Sequence, residues 1–522
     1  MLMQLLRSKE NIKRAIRAAI VERTSDEHAM FYSEMKKAAE DVKGFEKQIR
    51  KELASADSYQ PSYGYYYALP KSELVDRYLV YLPFKELVIR YCFVQVIADI
   101  LDPQLIATCF ANRLDTSESK RLTLSFANHS WPDYCHWQSE AAKTSNKLIV
   151  TDLSSFFDNI DSKKLLSGIA SNMGTEVNSP FFQYFQKVLL QPVHRFGGHV
   201  GDVDTLVQRN KGIMTGPCSD SMLANFYLMD LDKKMSQLEG IEYGRYVDDI
   251  KLFGQDREKL QAAFSILQRE LHDLGLNINS SKTKLIDSKE EVIELITQEI
   301  VMGVDHYGNE HTKTRSIVYE QEAKELELDL PFDKREIAVD LEKEITSASD
   351  AKEFCFILSE VDVDDWQPTH LAKLVLILKR YPSSTKHAVW QVIRAMREGN
   401  EEVQTLAEEY VTEQCLVDPQ IHNYAKSRLL HHLIKPRKRD RRYVYQVLED
   451  ESFIKSIKSV LRTTPETLLR VYALEVFCLK FGAFTLPEIQ QVFIKAKVPL
   501  NHFEAYALTQ VAETKQEVKS SG

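Results

Sequence analysis

The sequence predicts an α+β domain followed by an all-α domain. From about residue 69 to residue 285, strand-like apolar runs alternate with helix-like runs, which is typical of a mixed α+β fold. After about residue 310 this alternation fades and helix-start signals recur. All but three of the 18 glycines lie at or before Gly308, which indicates that most tight turns belong to the first part of the chain.

Length and composition bound the class of protein. At 522 residues the chain is long enough for two or three domains, and its 44% hydrophobic and 27% charged residues are ordinary for a globular protein. No apolar run approaches the roughly 18 residues that span a bilayer, so we expect no membrane partner. Seven cysteines without CxxC or Cys/His ligand spacing fit the reducing cytoplasm and argue against structural zinc. The net charge of −9 restricts nucleic-acid contacts to a local basic groove.

The chain divides into three predicted segments. Residues 1–58 form a helical N-terminal segment, with apolar residues at mixed three- and four-residue spacing. Residues 59–300 begin with a turn-rich stretch of tyrosines and continue as the α+β domain. Residues 301–522 contain helix cores such as Leu371–Leu378 and helix starts such as Thr464-Pro465-Glu466, where a capping hydroxyl precedes a proline and an acid. We interpret this last segment as a stack of antiparallel, HEAT-like helices.

Three short segments of the α+β part carry reactive groups. An apolar run delivers Asp152 at its end, and two aromatic residues follow it. The loop Gly212–Asp220 leads into an apolar, helix-like run. The tetrapeptide Tyr246-Val247-Asp248-Asp249 lies between two apolar runs, which is typical of a β-hairpin with carboxylates at its turn. Adjacent aspartates alone are common on solvated loops, so the interpretation depends on all three segments together.

In order and spacing, these segments resemble motifs A, B and C of reverse transcriptase palms. The run Leu274–Asn279 with Lys282 and Lys284 is similar to motif D, and the surroundings of Lys71 and Arg77 are similar to the fingers. The resemblance covers about residues 60–290 and implies a palm-and-fingers fold. It also implies nucleotidyl transfer with two divalent ions, Mg²⁺ or Mn²⁺.

Carboxylates from separate strands must converge to hold such hard cations. We expect Asp152 and Asp248 to bridge the two ions and Asp249 to complete the catalytic triad. By resemblance, the backbone carbonyl of Leu153 is a further ligand. The alternative for Asp152 is a turn or cap acid, but an uncompensated carboxylate after a buried strand is costly. Asp158 is better interpreted as a turn acid.

The resemblance also implies residues that bind the nucleotide. Phe157 stands five residues after Asp152, where polymerases that use dNTPs place an aromatic steric gate; its alternative is a core role, which suits Phe156 better. Long cations at Lys71 and Arg77 would grip the triphosphate, although Lys71 also fits a solvated surface charge. The remaining members of this set are Gly216 and Lys282, and either Lys282 or Lys284 could protonate the departing pyrophosphate.

One residue of the chain departs from the usual motif B and points to a narrower group of reverse transcriptases. Thr215 stands where template-copying reverse transcriptases have glutamine, and a short threonine cannot reach the template strand as far. With the intact aspartates, the tyrosine-rich entry and the long helical end, the chain resembles the abortive-infection (Abi) reverse transcriptases, nearest to the P2-prophage type. That resemblance implies template-independent DNA synthesis in bacterial antiphage defence, primed by a protein tyrosine, in a homo-oligomer.

A tyrosine hydroxyl can replace a primer 3′-hydroxyl as the nucleophile. The candidates are the five tyrosines before the first predicted strand: Tyr59, Tyr63, Tyr65, Tyr66 and Tyr67. Their alternative role is to pack or to line a groove.

The densest basic run is a candidate contact for the single-stranded DNA product, which stays covalently attached to the protein if a protein tyrosine is the primer. Its members are Arg437, Lys438, Arg439, Arg441 and Arg442. A solvated interhelical loop explains the same residues equally well.

Two other functions remain open. One is an RNA-templated reverse transcriptase of a retron-like defence system, and the other is a catalytically silent oligomeric scaffold. Loss of a catalytic aspartate would indicate the scaffold, but all three aspartates are present.

Overall fold

The chain forms two compact units, which interleave along the sequence. The first comprises residues 1–64, 82–192 and 208–331, and the second comprises residues 65–81, 193–207 and 332–522. The computed structural model describes these parts of the chain: 1–24, 35, 38–39, 41–114, 130–194, 206–207, 211–302, 341, 344–434, 449–464, 468–470, 472–474 and 476. None of the helices described there is long and apolar enough to cross a membrane.

The first unit has mixed α and β content. Its described helices are α1 (Leu2–Leu6), α2 (Lys9–Thr24), α3 (Val42–Ala54), α4 (Phe84–Leu101), α5 (Ser130–Thr144), α6 (Phe156–Asn159), α7 (Ser162–Asn172), α8 (Pro180–Leu189), α9 (Cys218–Tyr227), α10 (Met229–Met235), α11 (Arg257–Leu274) and α12 (Lys289–Met302). The helices of residues 1–58 pack in this unit with the sheet-bearing part of the chain. The predicted boundaries at residues 58 and 300 remain predictions.

Helix α4 is the central helix of this unit. It is apolar on nearly all sides, so it is stable only when it is buried on nearly all sides. Helix α2 packs along it, and Asn11 of α2 donates a hydrogen bond from Nδ2 to the carbonyl oxygen of Cys92, at 3.0 Å. The N-terminal helices therefore cover the core rather than form a separate body.

The sheet of the first unit positions the reactive groups. Its strands are β3 (Lys147–Ser154), β6 (Ile241–Tyr246), β7 (Asp249–Gly254), β8 (Asn277–Ile278) and β9 (Lys284–Ile286). The strand order is β6-β7-β3-β8, and β9 also pairs with β3. Strand β3 is buried on both faces, and its apolar run Leu148–Val150 is typical of such a strand. Its antiparallel register with β7 places Asp152 opposite Asp249.

The second unit combines a small sheet with helices. Strands β1 (Gly64–Pro70), β2 (Asp76–Tyr81), β4 (Val193–His194) and β5 (Leu206–Val207) form the sheet, in the order β2-β1-β4-β5. The described helices are α13 (Ala348–Glu360), α14 (Pro368–Arg380), α15 (Thr385–Glu398), α16 (Glu401–Glu409), α17 (Asn423–Ile434) and α18 (Glu451–Thr463). Helix α15 packs against α13, α14, α16 and α17. The expected change to helical structure late in the chain is present in these described residues.

A contact between His422 and Asp76 joins the β1–β2 hairpin to the helices of this second unit. His422, just before α17, lies 3.1 Å from Asp76 of β2, measured from Nε2 to Oδ1. Burial lowers the pKa of His422, although the charge of Asp76 opposes that shift. The interaction fixes the first residue of β2 to the helical part of the same unit.

Candidate active site

The turn between β6 and β7 carries two of the three aspartates. Val247 has a φ of 58°, a left-handed conformation that β-branched residues rarely adopt. Such strain occurs mainly where surrounding contacts enforce it, and often at functional sites. The N–H of Leu153 donates to the carbonyl oxygen of Asp248 at 3.3 Å, so this turn is tied directly to strand β3. All three aspartates therefore lie at the same end of the sheet.

A buried arginine supports the strained turn. Arg245 of β6 donates from Nη1 to the carbonyl oxygen of Val247, at 3.1 Å, and to Oδ1 of Asn225, at 2.8 Å. Its charge is balanced by Asp232, 2.7 Å away, and both side chains are almost completely buried. The turn is thereby connected to helices α9 and α10.

Asp152 and Asp248 form a pair of like charges. Burial raises the pKa of Asp248 to about 7, and the negative charge of Asp152 together with a side-chain hydrogen bond between the two groups adds to that shift. Asp152 is only 7% exposed, so water screens the pair poorly. A proton or a cation between the carboxylates relieves this repulsion.

Lys282 lies at the same site. Its Nζ is 3.0 Å from Oδ2 of Asp152, and Nδ2 of Asn279 is 3.5 Å from the same oxygen. The backbone N–H of Asn279 also donates to the carbonyl oxygen of Asp152, at 2.8 Å. Of the two lysines in the predicted motif D, Lys282 is therefore next to an aspartate, whereas Lys284 is exposed on β9.

Asp249 has a partner that the sequence analysis missed. The hydroxyl of Tyr134, on α5, donates to Oδ2 of Asp249 at 3.3 Å. The buried ammonium group of Lys251 lies 5.1 Å from the centre of the Tyr134 ring and donates to Oε1 of Gln138, at 2.5 Å. The aromatic residues of α5 recur every three positions, as residues on a buried helical face do. This spacing is the signal in the sequence that could have indicated the buried position of Tyr134.

Helix α5 can approach the hairpin because residue 244 is glycine. A Cβ atom on Gly244 would lie 2.5 Å from the indole of Trp137, so the strand and the helix can be this close only without a side chain there. Tyr246 packs edge-on against Trp131 of the same helix, with ring centroids 5.3 Å apart. These contacts set the distance from Tyr134 to Asp249.

The donor set fits a hard divalent cation. Among the described residues, no group of three or more His, Cys, Asp or Glu side chains is arranged so that it could hold a metal ion. Asp152 and Asp248 nevertheless present carboxylate oxygens to each other, and Mg²⁺ and Mn²⁺ prefer such ligands. The residues that would hold the cation are these two, with Asp249 beside them against Tyr134.

The loop before α9 is fixed by a buried ion pair. Oδ1 of Asp220 accepts the backbone N–H of Met214, at 2.9 Å. Arg90 of α4 donates to both oxygens of Asp220, at 2.6 and 2.7 Å, and neither side chain is exposed. Arg90 also donates to the carbonyl oxygen of Val188, at 2.6 Å. This loop contains Thr215 and Gly216, and Gly216 has a φ of 126°. Arg90 lies far from the loop in sequence, and no local pattern predicted the pair.

The two phenylalanines after Asp152 differ in burial. Phe156 is 2% exposed and belongs to the core, whereas Phe157 is half-buried. Both lie in the one-turn helix α6, and their ring centroids are 5.6 Å apart.

The candidate priming tyrosines have different environments. Tyr59 is buried and donates its hydroxyl to Glu86, and burial followed by the charge of Glu86 raises its pKa well above the ordinary value. Tyr65 and Tyr67 are 6% and 4% exposed. Tyr66 is half-buried, and Tyr63 is 40% exposed. Of the five tyrosines, Tyr63 and Tyr66 are therefore the two that are not buried.

The other predicted binding residues lie elsewhere in the chain. Lys71 and Arg77 belong to the second unit, in the β1–β2 hairpin, and both are exposed. The N–H of Lys71 donates to the carbonyl oxygen of Val75 at the hairpin tip, at 2.8 Å. The basic run from Arg437 to Arg442 lies outside the described residues.

Comparison with protein families identifies the class of this domain. A family described as "Reverse transcriptase (RNA-dependent DNA polymerase)" matches residues 92–301. The chain thus contains a reverse transcriptase domain, and the matched range includes Asp152, Asp248, Asp249 and Lys282. This match supports, for the matched domain, the activity of a nucleotidyltransferase of the reverse transcriptase type.

Three solved telomerase structures are similar to the chain. Apo telomerase from Candida tropicalis, truncated from its C-terminal domain, is 12% identical with a TM-score of 0.32, over 44% of this chain and 51% of that one. Telomerase from Candida albicans in complex with a TWJ fragment of telomeric RNA is 11% identical with a TM-score of 0.34, over 87% of this chain and 68% of that one. The corresponding complex from Candida tropicalis is 13% identical with a TM-score of 0.33, over 80% and 64%.

The chain spans about half the length of the first of these telomerases. A search among curated proteins returned no match.

The Asp152–Asp248 pair predicts how stability depends on pH. Because the pKa of Asp248 is about 7 in the folded protein and about 4 in an unfolded chain, the folded state holds the proton more tightly and loses stability as the pH rises through 7. Without divalent ions, Asp248→Asn is therefore expected to stabilise the protein at pH 8 by at least about 1 kcal/mol, and much less at pH 5. Thermal unfolding in a chelator measures this difference.

Asp158→Asn is the matched control, because Asp158 is an exposed acid of α6. Added Mg²⁺ should raise the unfolding temperature of the wild type more than that of Asp248→Asn, since only the wild type keeps the charged pair. An Asp248→Asn protein that is less stable than the wild type at pH 8 in chelator would contradict this electrostatic account.

The Arg90–Asp220 pair predicts strong coupling between α4 and the loop before α9. Asp220→Asn is expected to cost about 3–5 kcal/mol, because it leaves the Arg90 charge buried without a counter-ion. Adding Arg90→Met should restore more than half of that loss, as the urea midpoint of the double variant would show. A double variant no more stable than Asp220→Asn would indicate that the pair is not coupled.

Proposed function

We propose that this protein is a DNA polymerase that adds dNTPs without a template and starts from one of its own tyrosine hydroxyls. The proposal that it is a polymerase rests on one observation. The carboxylates of Asp152 and Asp248 lie in contact beside Lys282, within the reverse transcriptase domain. The proposed setting is bacterial antiphage defence by abortive infection, in the cytoplasm.

Each residue of the site has its own proposed role in nucleotidyl transfer. Two divalent ions, Mg²⁺ or Mn²⁺, would lower the pKa of the attacking hydroxyl and neutralise charge on the leaving pyrophosphate. Asp152 and Asp248 would hold them, and Tyr134 orients Asp249 beside the pair. Lys282, whose Nζ lies 3.0 Å from Oδ2 of Asp152, would supply a proton to the pyrophosphate.

The choice of nucleotide rests on Phe157. A half-buried aromatic side chain on a short, fixed helix is suited to fill the space of a ribose 2′-hydroxyl, which supports a preference for dNTPs. The triphosphate-binding roles of Lys71, Arg77 and Gly216 stay predictions.

One observation supports synthesis without a template, and another supports priming by the protein itself. Thr215 replaces the glutamine that helps to seat a template, and the loop that carries it is fixed by Asp220. Tyr63 is our first candidate for the priming residue, because it is the most exposed of the five tyrosines and lies in the same unit as the aspartates. The product would then be single-stranded DNA attached to the protein.

The helical part of the second unit supports the assembly that we propose. Helix α15 packs against α13, α14, α16 and α17. We propose that these helices belong to a HEAT-like stack, whose extended surface would join copies of the chain into a homo-oligomer. The basic run at residues 437–442 would contact the product strand.

An RNA-templated reverse transcriptase is the second candidate function. The description of the matching family as RNA-dependent favours it. A silent scaffold is less well supported, because all three aspartates and Lys282 are present and two of the aspartates meet.

The test incubates purified protein with labelled dNTPs and Mg²⁺ or Mn²⁺, without template or primer. We expect label that stays on the protein after denaturation, and a loss of at least about 100-fold in Asp248→Ala, because the remaining carboxylates cannot hold the cations in place. Incorporation that begins only when RNA and a primer are added would contradict the proposal and establish the RNA-templated alternative.

Tyr63→Phe separates priming from polymerisation. It should abolish covalent labelling while it leaves extension of an added oligonucleotide primer close to the wild-type rate. Tyr59→Phe is the matched control, since the Tyr59 hydroxyl is buried against Glu86. Full labelling of Tyr63→Phe would show that Tyr63 is not the priming residue and would make Tyr66 the next candidate.

A further inference from the structure

The one-turn helix α6, which carries Phe157, is held by Lys211 and by the first two residues of the loop before α9. The N–H of Gly212 donates to the carbonyl oxygen of Ile160 at 2.8 Å, and the N–H of Ile213 donates to that of Phe157 at 2.9 Å. Nζ of Lys211 donates to Oδ1 of Asn159 at 3.0 Å. Three consecutive residues therefore bind Phe157 and Asn159 of α6 and Ile160 just after it.

Gly212 allows this close approach. Its φ is +82°, and a Cβ atom there would lie 3.0 Å from the carbonyl oxygen of Asp158 and 3.1 Å from that of Phe157. The Cα of Asp158 would also be only 3.1 Å away. These are backbone atoms, which cannot rotate aside as a flexible side chain does. A side chain at residue 212 would therefore push against the backbone of α6.

The opposite side of α6 is fixed as well. Ser155, before the helix, has a φ of 47°, and Nδ2 of Asn159 donates to the carbonyl oxygen of Ser154 at 3.2 Å. Phe156 is anchored in the core, whereas the ring of Phe157 is half-buried. Of the two rings, that of Phe157 has more room to move when α6 is pushed.

We infer that Gly212 is a specificity-determining residue, which positions Phe157 and so sets the discrimination between deoxyribonucleoside and ribonucleoside triphosphates. The inference rests on the proposed function, in which Phe157 is the steric gate. Gly212 acts through Phe157 and is a positioning residue, because the contacts that it makes are with the backbone of α6 and its neighbours.

Gly174 provides the matched control. It has a φ of +63°, so alanine there carries the strain of the left-handed conformation, but no atom lies within 4 Å of the added Cβ. A difference between Gly212→Ala and Gly174→Ala therefore reports the push on α6 and not the backbone strain alone.

The experiment measures kcat/KM for single additions of a dNTP and of the matching rNTP to an oligonucleotide primer. Phe157→Ala is expected to raise the rNTP-to-dNTP ratio at least about tenfold, since the gate is removed. Gly212→Ala should raise the ratio at least about fivefold, and Gly174→Ala should leave it at the wild-type value. Gly212→Ala added to Phe157→Ala should cause no further rise, because the glycine acts through that ring.

The outcomes separate the inference from the proposed function. If Phe157→Ala has no effect on the ratio, Phe157 is not the gate. If the wild type incorporates neither nucleotide, the proposed polymerase activity is wrong. An effect of Phe157→Ala with a Gly212→Ala ratio equal to that of Gly174→Ala would overturn the inference about Gly212.

If circular dichroism shows that Gly212→Ala does not fold, the same ratio is measured for Asn159→Ala instead. This substitution removes the hydrogen bonds of Asn159 to Ser154 and Lys211 and so loosens the same helix without a change at residue 212. A ratio raised at least about twofold would support the inference, and an unchanged ratio would overturn it.

Discussion

The register between β3 and β7 is the constraint on which the rest of the site depends. It places Asp152 opposite Asp249 at the end of a strand that is buried on both faces. A shift of one residue would turn every side chain of β3 to the other face and would separate the carboxylates. The hydrophobic cost of such a shift holds Asp152 against Asp248 in spite of their repulsion.

Buried charges connect this strand end to the surrounding helices. Arg245 and Asp232 support the strained turn at Val247, and Arg90 and Asp220 fix the loop before α9. A buried ion pair is often no more stabilising than well-packed apolar residues, because both ions lose their hydration. We therefore interpret the two pairs as devices that fix the positions of loops around the aspartates.

The sequence predicted the parts of the site that lie close together along the chain. Asp152 follows the apolar run at the start of β3 and Asp248 occupies a hairpin turn, and both signals are local. Tyr134 and Arg90 were not predicted, because their partners lie more than a hundred residues away. Sequence alone also ranked Tyr59 equally with Tyr63, since burial against Glu86 depends on how α4 packs. The helical character of the second unit was predictable from composition, but its arrangement was not.

The most direct test of the central claim is Mn²⁺ binding, measured by electron paramagnetic resonance in the absence of nucleotide. If Asp152 and Asp248 are paired to hold cations, the wild type and Asp158→Asn should bind Mn²⁺ equally, and Asp152→Asn with Asp248→Asn should lose at least about tenfold in affinity. Circular dichroism would show that the double variant is folded. A folded double variant that binds Mn²⁺ as tightly as the wild type would contradict the account.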